Sequence, residues 1–168
     1  MRGSVRDAEF SEYVAGRRAQ LRRTAYLLCG DSHRAEDLVQ TALMKVYVAW
    51  PRIRKDGNVD AYTRRVMVHA HIDDTRRPWR RERVGVGEHD VEAADPATED
   101  HDLLRAALAG LPARQRAAVV LRHYWGLSVK ETAADLGCST GTVKSQTSHA
   151  LKRLEQVLSP HFEERQER

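Results

Sequence analysis

A chain of 168 residues, with 28 Lys and Arg against 24 Asp and Glu and a formal charge of +4, suits one or two small domains and excludes a single large core. Its two cysteines, Cys29 and Cys138, stand far apart without a CxxC pair, which argues against a disulfide framework and against a zinc site. No run approaches the roughly 20 apolar residues needed to cross a bilayer, and the first residues, MRGSVRDAEF, lack the apolar core of a signal peptide, so the chain is expected in the cytoplasm and off the membrane.

Helical spacing dominates from one end to the other, and no strand alternation persists. Phe10, Tyr13, Val14, Leu21, Ala25 and Leu28 predict a first helical stretch with a break or bend, stopped at Gly30 and Asp31. Ser32 is the expected cap of a second helix, in which Val39, Leu43, Val46 and Trp50 recur on one face and which Pro51 is expected to close. Arg52 to Asn58 reads as a basic loop containing Gly57, after which Asn58 or Asp60 opens a third helix that ends near Arg77 and Pro78. Residues 7–77 thus make a first bundle of three or four helices.

Five arginines fall between Arg76 and Arg83, and the next stretch, VGVGEHDVEAADPATED, has glycines, a proline, many acids and no helical stripe. Residues 78–102 therefore read as a flexible acidic linker. A second bundle follows over 103–158. Leu103, Leu104, Ala107, Leu108 and Leu111 mark one helix face, Ala113 to His123 a further helix, and Gly126 a break. The last residues, HFEERQER, are polar and expected to fray. Residues 1–77 carry 15 basic and 10 acidic side chains and residues 103–158 carry 8 and 3, while 84–102 holds seven acids and no Lys or Arg. Two cationic modules flanking an acidic connector suit a polyanionic partner.

The most informative segment is Ser128 to Leu154, SVKETAADLGCSTGTVKSQTSHALKRL. Ser128 and Glu131 are spaced as a capping box, Gly137 supplies a left-handed stop, and Ser139 or Thr140 caps the next helix. Val143, Thr147, Leu151, Leu154 and Leu158 then recur as one expected buried stripe. The opposite face presents Thr142, Lys144, Ser145, Gln146, Ser148 and His149. Two short helices, a tight turn and an outward polar face form a helix-turn-helix, which reads duplex DNA in the major groove. Lys144 suits phosphate or guanine and Gln146 suits adenine. The fold class is accordingly all-α: two small helical bundles joined by a flexible acidic linker, the second containing a helix-turn-helix.

Three stretches together resemble the extracytoplasmic-function sigma factors of the sigma-70 family, a set common in actinomycetes. AEDLVQTALMKVYVAW, Ala35 to Trp50, resembles the part of sigma region two that binds core polymerase. VDAYTRRVMVHAHIDDTRR, Val59 to Arg77, is similar to the promoter-melting part. Leu111 to Leu154 resembles sigma region four.

The resemblance implies a subunit that directs core RNA polymerase to promoters, with no cofactor and no enzymatic step of its own. Asp37, Gln40 and Lys45 are the residues it suggests for contact with the clamp of the largest polymerase subunit, with Leu38, Val39, Leu43 and Val46 left to the core. The segment from Lys55 to Asp60 is similar to the family's base-capturing loop. Asn58, Tyr62, Arg65, His69, Arg76 and Arg77 would engage the minus-ten element, where melted strands meet cationic grooves and stacking side chains. Thr140, Thr142, Lys144, Ser145, Gln146 and His149 would read the minus-thirty-five element. Many members carry Asn where this chain has His69, and several carry Arg where it has His149. An anti-sigma factor is a further class of partner that the resemblance leaves open.

Two other readings compete at this stage. A free-standing helix-turn-helix regulator would need no polymerase contact. A nucleic-acid enzyme would need a nucleophile or paired carboxylates, and the adjacent pairs Asp73–Asp74 and Glu36–Asp37 face in different directions on a helix. His69 and His71, two residues apart, likewise fall on different helix faces and make no metal site.

Overall fold

Why the chain becomes a series of helices is visible at the helix ends. The structure, a computed structural model, describes residues 2–76 and 96–167, and these are helical with short turns and no strand among the described residues. They fall into two units, the first ending at Asp74 and the second beginning at Thr75.

In the first unit α1 spans Arg2–Cys29, α2 Ser32–Asp56 and α3 Val59–Thr75. The break expected in α1 is absent: one helix runs its whole length, burying Leu21, Ala25 and Leu28. Gly30 ends it at φ 71, in the left-handed region that spares a glycine the Cβ clash. The cap of α2 is Asp31 rather than Ser32. Its carboxylate accepts from the His33 N–H at 2.8 Å and the Arg34 N–H at 3.5 Å, and a charged acceptor suits a helix N-terminus better than a hydroxyl.

Pro51 does not close α2, which continues to Asp56 and stops at Gly57, φ 72. A proline inside a helix strands the carbonyl four residues earlier. Here that carbonyl belongs to Tyr47, and the Arg6 guanidinium of α1 donates to it. The expected loop from Arg52 to Asn58 is therefore helical up to Asp56, leaving Gly57 and Asn58 as the turn. Val46, Trp50 and Ile53 form a buried cluster against which Phe10, Tyr13, Ala49, Val59 and Tyr62 pack. Phe10 meets Tyr47 and Trp50 edge-on, with centroids 5.1 and 5.4 Å away.

In the second unit α4 spans Pro96–Ala109 and α5 Ala113–Val119, which passes into a π-helical turn, Val120–Tyr124; α6 spans Val129–Leu136 and α7 Thr140–Gln166. The expected linker lies outside the described residues up to 95. From Pro96 the chain is helical, ahead of Leu103, with proline suited to a first turn and Glu99 favourable there. The tail does not fray at residue 161 but stays helical to Gln166, and Arg165 reaches Asp100 at 2.7 Å and Glu99 at 3.8 Å in the first turns of α4. Arg116 donates to the carbonyls of Leu108 (2.7 Å), Ala109 (3.0 Å) and Leu111 (2.7 Å), supplying donors that the end of α4 cannot find within itself.

The core here is Leu108, Leu111, Ala117, Ala118, Val120, Leu121, Leu136, Val143, Ala150 and Leu154. The stripe expected on α7 is corrected at one position: Ala150 is fully buried and Leu151 is 42% exposed. Val143, Ala150 and Leu154, spaced seven and four, thus carry the buried face. On α4, Leu104 turns outward at 38% exposure, while its expected companions Ala107 and Leu108 are buried.

Both halves of the capping box form: Ser128 Oγ accepts from the Glu131 N–H at 3.0 Å and the Glu131 carboxylate from the Ser128 N–H at 3.1 Å. Ser128→Ala should cost about 1 kcal/mol of the second unit's stability, seen as faster amide exchange across α6 and a lower urea midpoint. Exchange unchanged from wild type would show that the box is dispensable.

Candidate nucleic-acid and polymerase interfaces

Gly137 closes α6 at φ 66, and its own N–H donates to the Ala133 carbonyl, as does that of Cys138 at 3.1 Å. Ser139 then caps α7: its Oγ accepts from the Thr142 N–H at 3.1 Å and lies 2.9 Å from the Thr142 hydroxyl. The turn is thus three residues long and fixed at both ends, and it aims the first turns of α7 away from the unit. Val143, Ala150 and Leu154 face the core, while Thr140, Thr142, Lys144, Ser145 and His149 are exposed and Gln146 is half-buried. All six residues expected to read a duplex therefore lie on the first turns of one outward helix. Thr142 differs from the others in that its hydroxyl is already engaged by the cap.

On α3 a second row forms. Tyr62, Arg65, His69 and Arg76 follow at helical spacing behind Asn58, and all but the half-buried Tyr62 are exposed. Tyr62 packs on the Trp50 cluster, and the Arg52 guanidinium sits 5.8 Å from its ring centre, so it is partly a core residue with one edge in solvent. Arg64, next to Arg65, is buried at 8% exposure, and His71 is buried where His69 is exposed. The row also contains the exposed Asp73, a carboxylate between cations. Arg77 lies outside the described residues. Lys55, expected in a loop, is instead on the last turn of α2.

A third row runs along α2. Asp37, Gln40 and Lys45 are exposed, as is Thr41, whereas Leu38, Val39 and Val46 are buried and Leu43 is half-buried. The structure adds two residues that sequence reasoning missed. Met44 and Val48 are 71% and 76% exposed, one turn apart within that polar row. The signal was available: once Val39, Leu43, Val46 and Trp50 define the buried face, positions 44 and 48 fall outside it and ought to be polar.

Among the described residues no three His, Cys, Asp or Glu side chains converge on a metal position, and no described helix is long and apolar enough to cross a membrane. Cys29 and Cys138 form no disulfide and are half-buried, the Cys29 Sγ lying 3.8 Å from His71 Nδ1.

Residues 14–81 match the family model of sigma-70 region 2 and residues 101–154 that of sigma-70 region 4. The chain is 43% identical over 157 residues to the RNA polymerase sigma-E factor of Streptomyces coelicolor, covering 89% of this chain and 86% of that one. It is 31% identical over 150 residues to the ECF RNA polymerase sigma factor SigM of Mycobacterium tuberculosis, covering 89% and 76%. The chain belongs to the extracytoplasmic-function sigma factors of the sigma-70 family. It binds core RNA polymerase and directs promoter-specific initiation. The solved structure of the sigma factor RpoE with the anti-sigma factor NepR from Bartonella quintana superposes with a TM-score of 0.67 at 29% identity, over 90% of this chain and 97% of that one. The structure of CnrH with the cytosolic domain of CnrY, 21% identical with a TM-score of 0.64, shares the fold.

The sigma factor's first unit carries one strongly shifted acid. Burial of its phenol, helped by the negative charge of Asp60, pushes Tyr13 from 10.0 up to about 12. A raised folded-state value means that the native state holds this proton more tightly than the unfolded chain does. The stabilisation is fully present below about pH 10 and lost as pH climbs through about 12. Alkaline unfolding followed by circular dichroism should accordingly steepen above pH 10 in the wild type and flatten in Tyr13→Phe. Identical curves for the two would remove Tyr13 from the alkaline transition.

Proposed function

We propose that the three exposed rows divide the sigma factor's work. The α7 row (Thr140, Thr142, Lys144, Ser145, Gln146 and His149) reads the minus-thirty-five element as duplex. The α3 row with its preceding turn (Asn58, Tyr62, Arg65, His69, Arg76 and, beyond it, Arg77) engages the minus-ten element as it opens. The α2 row (Asp37, Gln40 and Lys45, joined by Met44 and Val48) docks on the clamp of the largest polymerase subunit. The first working module then lies within residues 2–76 and the second within 96–167, α4 taking in the last residues expected of the connector.

The observation that carries this division is the difference in chemistry between rows. The α2 row mixes one acid and one base with two large apolar side chains, a composition that suits a protein surface with an apolar centre. The α3 row carries three arginines, which suit phosphate, and the α7 row is polar with Lys144 as its one permanent cation, which suits base edges flanked by phosphate. His149, where an Arg would carry a permanent charge, is a weak phosphate ligand at neutral pH. The factor works in the cytoplasm with polymerase and performs no chemistry itself. A protein that covers the α2 row or the α7 face would restrain it, as an anti-sigma factor does; the solved structure of the sigma factor RpoE is a complex with the anti-sigma factor NepR.

The division is separable by experiment. Lys144→Ala with Gln146→Ala should weaken holoenzyme capture of duplex promoter by roughly tenfold or more, since a good base contact is worth about 1–3 kcal/mol, and leave core affinity intact. Asp37→Ala with Gln40→Ala, or Met44→Ala with Val48→Ala, should do the reverse. Equal losses in both assays from either set would refute the assignment. Promoter affinity should also fall steeply with salt, as phosphate contacts release counterions.

A further inference from the structure

The turn between α2 and α3 is two residues, Gly57 and Asn58, and a glycine at φ 72 sets no direction by itself. Val59 and Tyr62 pack on the Trp50 cluster, and a directional polar contact from α1 is added to that packing. Both carboxylate oxygens of Asp60, in the first turn of α3, are engaged by side chains one turn apart on α1. Arg17 donates through Nε to Oδ1 at 3.0 Å and through Nη2 to Oδ2 at 2.8 Å, a two-pronged fork. The Tyr13 hydroxyl lies 3.1 Å from Asp60 Oδ1 and 2.9 Å from Thr63 Oγ1, sharing its one proton between them. Thr63 is fully buried and has its own proton committed to the Val59 carbonyl at 2.9 Å. The Tyr13 ring is held in turn against Trp50, centroids 5.4 Å apart.

Burial argues that this contact is not chiefly for stability. The Arg17 and Asp60 side chains are 46% and 40% exposed, and ion pairs of that exposure are screened by water. A fork of two parallel hydrogen bonds nonetheless fixes direction, because it is satisfied in one relative orientation of its partners. Asp60 lies two and five residues before Tyr62 and Arg65, so its placement sets theirs.

We infer that Arg17 and Tyr13 are positioning residues for minus-ten recognition: they latch Asp60 to α1 and so orient the Asn58–Tyr62–Arg65 face toward the strand it reads. This rests on the assignment of the α3 row to the minus-ten element. Arg17 works through Asp60 and makes no phosphate contact of its own. Tyr13 lies just ahead of the segment matched to region 2, and Arg17 just inside it.

The test uses holoenzyme reconstituted from the full chain and purified core polymerase. Its probes are single strands carrying the minus-ten sequence of a promoter mapped with the wild type, or the same strand with one base replaced. In Arg17→Gln the preference for the correct strand should fall by about fivefold or more, the scale of one lost base discrimination, with core affinity within about twofold of wild type and the salt dependence unaltered. The swap Arg17→Asp with Asp60→Arg should restore most of the preference. Tyr13→Phe, which keeps the ring on Trp50, should give a smaller drop in the same direction.

An unchanged preference in both Arg17→Gln and Tyr13→Phe overturns the inference. So does a drop accompanied by a salt slope shallower by about one, which would make Arg17 itself a phosphate ligand. Loss of core affinity in parallel with strand preference would mean that the latch serves only the fold. Wild-type holoenzyme that binds both strands alike overturns the minus-ten assignment itself, a failure distinct from that of the latch.

Discussion

Pro51 can stand inside α2 because α1 answers for it. A proline in mid-helix leaves a carbonyl without a donor, and burying such a carbonyl beside an aromatic cluster would cost more than the helix could bear. The Arg6 guanidinium supplies that donor at Tyr47, and also stacks over the Tyr47 ring at 4.1 Å. The Tyr47 hydroxyl closes the circuit by donating to Asp7 at 2.6 Å, and that bond raises its ionisation above the usual phenol range. With the proline satisfied, α2 runs on to Asp56, Ile53 joins Trp50 and Val46 in the buried cluster, and the turn into α3 is shortened to two residues. Where α3 begins follows from this interhelical contact, and its packing on the Trp50 cluster and the Asp60 contacts complete its placement.

The second unit solves its problem locally. Four helix ends have a named answer: Arg116 for the carbonyls of α4, the Ser128–Glu131 box for the start of α6, Gly137 for its exit and Ser139 for α7. Such short-range devices need no distant partner, so a seven- or eight-residue helix, marginal in isolation, is held in place. The cost is rigidity at the turn. Thr142 engages its hydroxyl with the Ser139 cap, and on the proposed reading that leaves phosphate contact chiefly to Thr140 and Lys144.

The same contrast explains what could be read in the sequence. Helix-turn-helix geometry was legible because its determinants are contiguous: capping box, turn glycine and second cap occur within a dozen residues, and each acts on its own neighbours. Pro51 misled because its remedy sits more than forty residues earlier, at Arg6, and no local rule connects them. The cap of α2 was displaced by one residue, where Asp31 outcompetes an adjacent serine. Leu151 falls at stripe spacing from Thr147 and Leu154, but so does Ala150, and it is Ala150 that the buried face passes through. Met44 and Val48 were overlooked because apolar residues within a helical run are read as core by default, and only the completed buried face shows that they point out.

That pair bears on how one small protein serves two kinds of partner. A face meant for nucleic acid gains from charge acting over several ångströms, and its affinity declines with salt. A face meant for protein needs a dehydrated centre, since screened surface charges contribute little by themselves. On the division proposed above, an apolar pair on α2 lets core polymerase be bound with little dependence on salt, while promoter contacts from α3 and α7 stay weak and reversible. Each module alone would hold DNA poorly. Docked on one polymerase, the second contact becomes intramolecular at high effective concentration, so selectivity requires both elements at the right spacing and neither row has to bind tightly.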